Sequence, residues 1–182
     1  MDIAGFLERL ESLNVATGIR DSFYLFPLIE SFHVVGLATL FGMIAILDLR
    51  LLGLASVRRP VTRVMADTMN WAWMAFVLTA TTGSLMFITN ASGYYQNFFF
   101  RAKMVMLAVA GANVLVFELT SGRVLRRRDR EAAVSRTGKT AAALSLVLWI
   151  AIICAGRWIG FTKSQSEPPA DPGINFDDLF NP

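Results

Sequence analysis

The sequence predicts an all-α polytopic membrane protein: a bundle of four transmembrane helices preceded by an amphipathic N-terminal helix. Three observations predict it. Of the 182 residues, 54% are hydrophobic and only 17% are charged, against about 25% charged in a soluble domain. Four apolar stretches each reach the roughly 20 residues that one bilayer crossing takes. These stretches are continuous runs and lack the alternation of barrel strands, which repeats over about ten residues. Helices are then the structures that satisfy the backbone hydrogen bonds in lipid.

Residues 1–22 form the N-terminal segment. Ile3, Phe6, Leu7, Leu10 and Leu13 fall at helical spacing, with Asp2, Glu8, Arg9 and Glu11 between them. The pattern fits a helix lying along a membrane surface or packed on the bundle. No basic region precedes a compact apolar core here, so the first span is expected to act as an uncleaved insertion signal. The transmembrane domain covers residues 23–163. Its first span runs over Phe23–Leu47 and ends in Asp48-Leu49-Arg50; the second runs from Thr68 to Asn90. Asn90, Gly93 and the residues to Asn97 read as a loop. The third span covers Phe98–Leu119 and the fourth Lys139–Phe161. Residues 164–182, with Pro168, Pro169, Pro172 and Gly173, read as a flexible acidic tail.

Charge sets the expected orientation. The connections between spans one and two and between three and four hold 11 of the 17 basic residues, and the remaining six lie at the opposite end. The positive-inside rule then places both termini outside, which is the periplasm for a bacterial inner membrane. The basic run Arg123–Arg136 is read as a topology signal. Aromatic residues do not interleave with it, so nucleic acid is not an expected partner. The expected surroundings are the lipid bilayer, with a homo-oligomer or a membrane-complex partner beside it.

Composition also excludes chemistry. The single cysteine, Cys154, allows neither an intrachain disulfide nor a cysteine metal cluster. The single histidine, His33, excludes a bis-histidine haem or a two-histidine zinc site within one chain. P-loop, GxSxG, HExxH and dinucleotide fingerprints are absent, so a catalytic site of the soluble type is not expected.

Ionisable groups inside a span are costly and are functional candidates for that reason. Glu30 and His33 lie three residues apart on one face of the first span. Arg157 lies at a similar depth in the fourth, where a pair with Glu30 would offset part of each desolvation cost. His33 is the candidate ligand for a metal or haem, or a proton carrier, with Glu30 expected to hold its ring. The bland alternative is a histidine bonded between helices. Gly36, one turn on, leaves space that suits a cofactor or a close helix contact. Asn113, mid-span among small residues, is expected to bond between helices, with polar-substrate passage as the alternative. Met74, Met86, Met104 and Met106 offer thioethers suited to copper(I), but methionine is also ordinary core filler. Ala108/Ala112, Thr79/Gly83, Ala151/Ala155 and Gly156/Gly160 are small-xxx-small pairs that permit close helix approach.

The stretches Glu30-Ser31-Phe32-His33-Val34-Val35-Gly36-Leu37 and Asp48-Leu49-Arg50-Leu51-Leu52-Gly53 resemble an uncharacterised family of small bacterial four-span inner-membrane proteins, over most of residues 23–160. Over residues 71–117, Thr82-Gly83 before a loop, Lys103 opening the next helix and Asn113 within it look like the CopD-type copper-resistance membrane domain. That second resemblance implies metal or small-solute binding and adds Lys103 to the candidate residues. Three function classes follow: a CopD-like binding or transport protein using Glu30, His33 and Arg157; a haem b electron-transfer subunit with His33 as axial ligand; and a structural or accessory subunit.

Overall fold

The computed structural model describes residues 2–56, 58–117, 119 and 136–164. Among these there are helices and no strand. In chain order they are α1 (Ile3–Glu11), α2 (Asn14–Asp21), α3 (Leu25–Leu52), α4 (Val61–Ile88), α5 (Ala91–Gln96), α6 (Phe98–Phe117) and α7 (Arg136–Ser164). The all-α expectation is borne out. Four helices are long and apolar enough to cross a membrane: Leu25–Leu52, Val61–Ile88, Phe98–Val116 and Arg136–Thr162. Most of the basic run, residues 123–135, and the acidic tail from residue 165 lie outside the described residues.

Helices α3, α4 and α7 are longer than their apolar runs. Helix α3 continues through Asp48 and Arg50 and stops at Gly53, which takes the left-handed conformation at φ 80°. There Gly53 N–H donates to Arg50 O and Leu54 N–H to Leu49 O, the bond pair that closes a helix on a glycine. Helix α4 starts at Val61, directly after Pro60, seven residues before the apolar run begins. Val61, Val64, Met65 and Thr68 are buried while Thr62, Arg63, Ala66 and Asp67 are exposed. This first part of α4 is therefore amphipathic, and its charges lie on the outer face.

The stretch 90–97 contains a helix instead of an open loop. Asn90 caps α5 by accepting from Gly93 N–H at 3.0 Å. Asn97 then caps α6, its Oδ1 accepting from Phe99 N–H at 2.9 Å and Phe100 N–H at 3.3 Å. Its Nδ2 donates to Thr162 Oγ1 at 2.9 Å, which ties the start of α6 to the end of α7. The N-terminal segment folds as two short helices, α1 and α2, instead of one. They are bound to the bundle: Ser92 N–H donates to Glu11 Oε1 at 2.7 Å and Arg20 Nη1 to Thr89 O at 3.3 Å.

Helix α3 packs on α4 and α7, and α6 packs on α7. Leu40, Ala75, Ala110, Trp149 and Ile152 meet in the core, one or two from each long helix. The large apolar residues on the outside, among them Val35, Trp73, Val77, Val105 and Val147, are more than half exposed. In water such a surface would aggregate; in a bilayer it is the lipid face. The bundle therefore has two ends. One carries α1, α2 and α5; the other carries the α3–α4 turn.

Candidate functional site

Polar side chains gather at the α5 end around His33. The ring nitrogen Nδ1 lies 3.1 Å from Thr79 O and 3.1 Å from Thr82 Oγ1, both on α4. A carbonyl oxygen can only accept, so Nδ1 carries the proton. The Thr82 hydroxyl donates to Leu78 O at 2.7 Å and leaves a lone pair for the same N–H. In the neutral ring Nε2 is then the lone-pair nitrogen. Gly83 makes room for this arrangement: a Cβ there would stand 3.0 Å from His33 Cε1 and 3.4 Å from Nδ1.

The ring is thus held by α4 and not by Glu30, which corrects the expectation from sequence. Glu30 is exposed, and its charge acts on His33 less than that of Lys103. It also acts on Tyr94 in α5, whose phenol burial and the Glu30 carboxylate push above its ordinary range. Tyr94 is therefore protonated at neutral pH. Its ring lies against Phe100, 5.5 Å away, and Phe100 stacks on Phe87 at 5.3 Å. These rings cover the α5 end beside the polar group.

Lys103 enters the same region from α6. A Cβ at Gly156 of α7 would stand 3.3 Å from Lys103 Nζ, so the ammonium lies against the α7 backbone where a side chain is missing. Arg157 does not join the group. It is exposed, with its guanidinium 5.2 Å from the centre of the Phe161 ring, and no ion pair links it to Glu30 among the described residues. The reason is angular: Gly156 faces the interior, and the next residue turns about 100° away along the helix.

The remaining candidates lie elsewhere. Asn113 Nδ2 donates to Ala141 O at 3.0 Å, joining α6 to α7 near the α3–α4 end. Met74 and Met104 are 63% and 42% exposed while Met106 packs on the core, so these methionines do not converge. Cys154 is exposed. Among the described residues no group of three His, Cys, Asp or Glu could hold a metal ion. Gly36 serves the close helix contact: its missing Cβ would stand 2.6 Å from Thr79 Oγ1. Ala108 and Ala112 are exposed.

Sequence reasoning missed two partners of the ring. Thr79 and Thr82 of α4 hold it. Thr79 was legible as half of a small-residue pair with Gly83, and such a pair says that helices approach but not what lies between them.

The chain belongs to DUF6644, a family of unknown function. Its family model matches residues 18–162. The match takes in all four long helices and every residue of the His33 group, and leaves out α1. No curated protein and no solved structure matches the chain. Membership of the family therefore brings no activity with it, and the site has to be read from its own chemistry.

Proposed function

We propose that this membrane protein binds a small solute at the α5 end of its bundle and that His33 recognises it. The observation that carries the reading is the fixed tautomer. Thr79 O and Thr82 Oγ1 engage Nδ1, which reserves Nε2 as an acceptor or ligand atom. Thr82, Gly83 and Lys103, three positions that carry the CopD resemblance, lie at this ring; the fourth, Asn113, lies at the other end. Copper handling is a poorer fit than a solute. The Lys103 charge acting on His33 opposes a bound cation, and the methionines are dispersed.

Haem b is the second reading, and one observation favours it. A histidine whose Nδ1–H is bonded to a backbone carbonyl is oriented as metal-ligating histidines are. The other axial ligand would have to come from a methionine or from His33 of a second copy.

One experiment separates these readings. The protein is purified from its membrane with a histidine-free tag, beside His33→Ala. Native mass spectrometry, visible absorbance and melting temperature are compared. The expected result is a small co-purifying mass in the wild type that is absent from His33→Ala. The variant should stay folded, losing about 1 kcal/mol for the deleted hydrogen bond. A Soret band lost in the variant would replace the solute by haem. Bare protein in both samples, with only an earlier melt in the variant, would make His33 structural.

The orientation belongs to the same reading. The outer side of a bacterial inner membrane is assigned to the α5 end and both termini, from the asymmetry of 11 basic residues against six. Reporter fusions at Arg128 should read as cytoplasmic and those at the C-terminus as periplasmic. The opposite pair of results would turn the site toward the cytoplasm.

A further inference from the structure

Lys103 presents a feature that the solute reading alone does not explain. It stands five residues into α6, close enough to the membrane surface for its long side chain to reach water. The ammonium lies against α7, at the place where Gly156 has no side chain, and keeps some accessible surface. There it makes no hydrogen bond and no ion pair among the described residues. Glu30, which acts on the same neighbour His33, forms no ion pair with it among the described residues. A partly buried cation with no protein partner among the described residues is costly near a low-dielectric interior. Anion binding would offset that cost. The neighbouring imidazole adds a second requirement. With its proton on Nδ1, it offers a lone pair on Nε2, so a ligand reaching both residues brings a negative charge and a donor together.

We infer that Lys103, seated in the recess at Gly156, is the anion subsite of the His33 site and takes the carboxylate of a small monocarboxylic acid bearing a hydroxyl group. The inference rests on the reading of His33 as the recognising residue. The carboxylate pairs with Nζ, and the hydroxyl donates to His33 Nε2. A single negative charge matches the single cation. A dianion such as inorganic phosphate would leave excess negative charge facing Glu30.

The test uses the full chain in detergent micelles with a histidine-free tag. Its one histidine then gives a single imidazole NMR signal as a reporter. Lactate, acetate and inorganic phosphate are titrated separately at constant ionic strength. Lactate is expected to move the His33 signal saturably and to raise the melting temperature. Acetate, lacking the hydroxyl, should bind about tenfold more weakly, and phosphate should not compete. Lys103→Met should abolish both responses while melting no earlier than the wild type, because it removes an unpaired charge. Gly156→Ala crowds the ammonium and should weaken lactate at least tenfold. Lys139→Met, an exposed lysine at the far end of α7, should change nothing.

A wild type that ignores both acids, or a Lys103→Met protein that still binds them, overturns the inference. Preference for phosphate overturns the monocarboxylate class. The two readings fail separately. If a co-purifying ligand is lost in His33→Ala but kept in Lys103→Met, the His33 site stands without an anion subsite. If lactate stabilises His33→Ala but not Lys103→Met, the anion subsite stands and His33 is not the recognising residue.

Discussion

Gly36→Val is expected to destabilise the protein by about 3 kcal/mol, at the upper end of the usual cost of overpacking. Helices α3 and α4 touch at this residue. Even a single Cβ there would stand 2.6 Å from Thr79 Oγ1 and 3.3 Å from the Leu78 side chain. The Leu78 side chain, 37% exposed, can swing aside, but the Thr79 hydroxyl sits at the helix contact and a valine's added methyls must displace it. The effect should reach the site, because the same Thr79 supplies the carbonyl that holds His33 Nδ1 at 3.1 Å. The His33 NMR signal should therefore change together with the melting temperature. Gly42 on the same helix is the control, since a Cβ there meets nothing within 4 Å. Gly42→Ala should gain up to about 1 kcal/mol from helix propensity. Thermal melts of both variants in one detergent check the pair. Equal effects of the two would mean that the close contact at Gly36 is not what holds α3 to α4.

The second large effect lies at the other end of the bundle. Asp48 is fifteen residues from His33 on α3, about 22 Å at the helical rise. It is only 6% exposed. Ser145 of α7, itself 5% exposed, is the polar side chain that acts on the carboxyl group, and Oδ2 has no partner among the described residues. Ser145→Ala strands the carboxyl group and should cost about 1–3 kcal/mol, the penalty of an unsatisfied buried polar group. Removing both partners should be milder. Asp48→Leu combined with Ser145→Ala is expected to melt closer to the wild type than Ser145→Ala alone, because no polar group is then left buried. A double-mutant cycle measures the coupling. Additive losses would show that the two side chains are not coupled.

Asp48 also illustrates how differently parts of the chain could be read. As a sequence, Asp48-Leu49-Arg50 resembles the polar exit of a span. In the fold these residues continue the helix, and Asp48 faces α7 while Arg50 Nε donates to Arg59 O at 2.7 Å across the turn. Neighbouring charges on one helix differ in direction by a large angle, and only the position of α7 makes one of them a core residue. Arg63 and Asp67 misled in the opposite sense. They mark the end of the apolar run, yet they occupy the outer face of the first turns of α4.

Hydropathy by itself determined the helical class, the four spans and the candidacy of His33. Each rests on a local rule: a bilayer demands some twenty apolar residues with internally bonded backbone and makes a buried imidazole conspicuous. The tertiary structure alone decided which side chains meet. The spacing of Glu30 and His33 on one face suggested a pair, but His33 is held by a threonine carbonyl and hydroxyl 46 and 49 residues away. Arg157 was a candidate by its depth, and Lys103 through the CopD resemblance. Helix rotation separates them, turning Arg157 outward onto Phe161 and leaving at Gly156 the recess in which Lys103 lies. Rotation and register follow from packing between distant segments, where small residues set the distance of approach. That information is spread over pairs of helices and is carried by no single stretch of sequence.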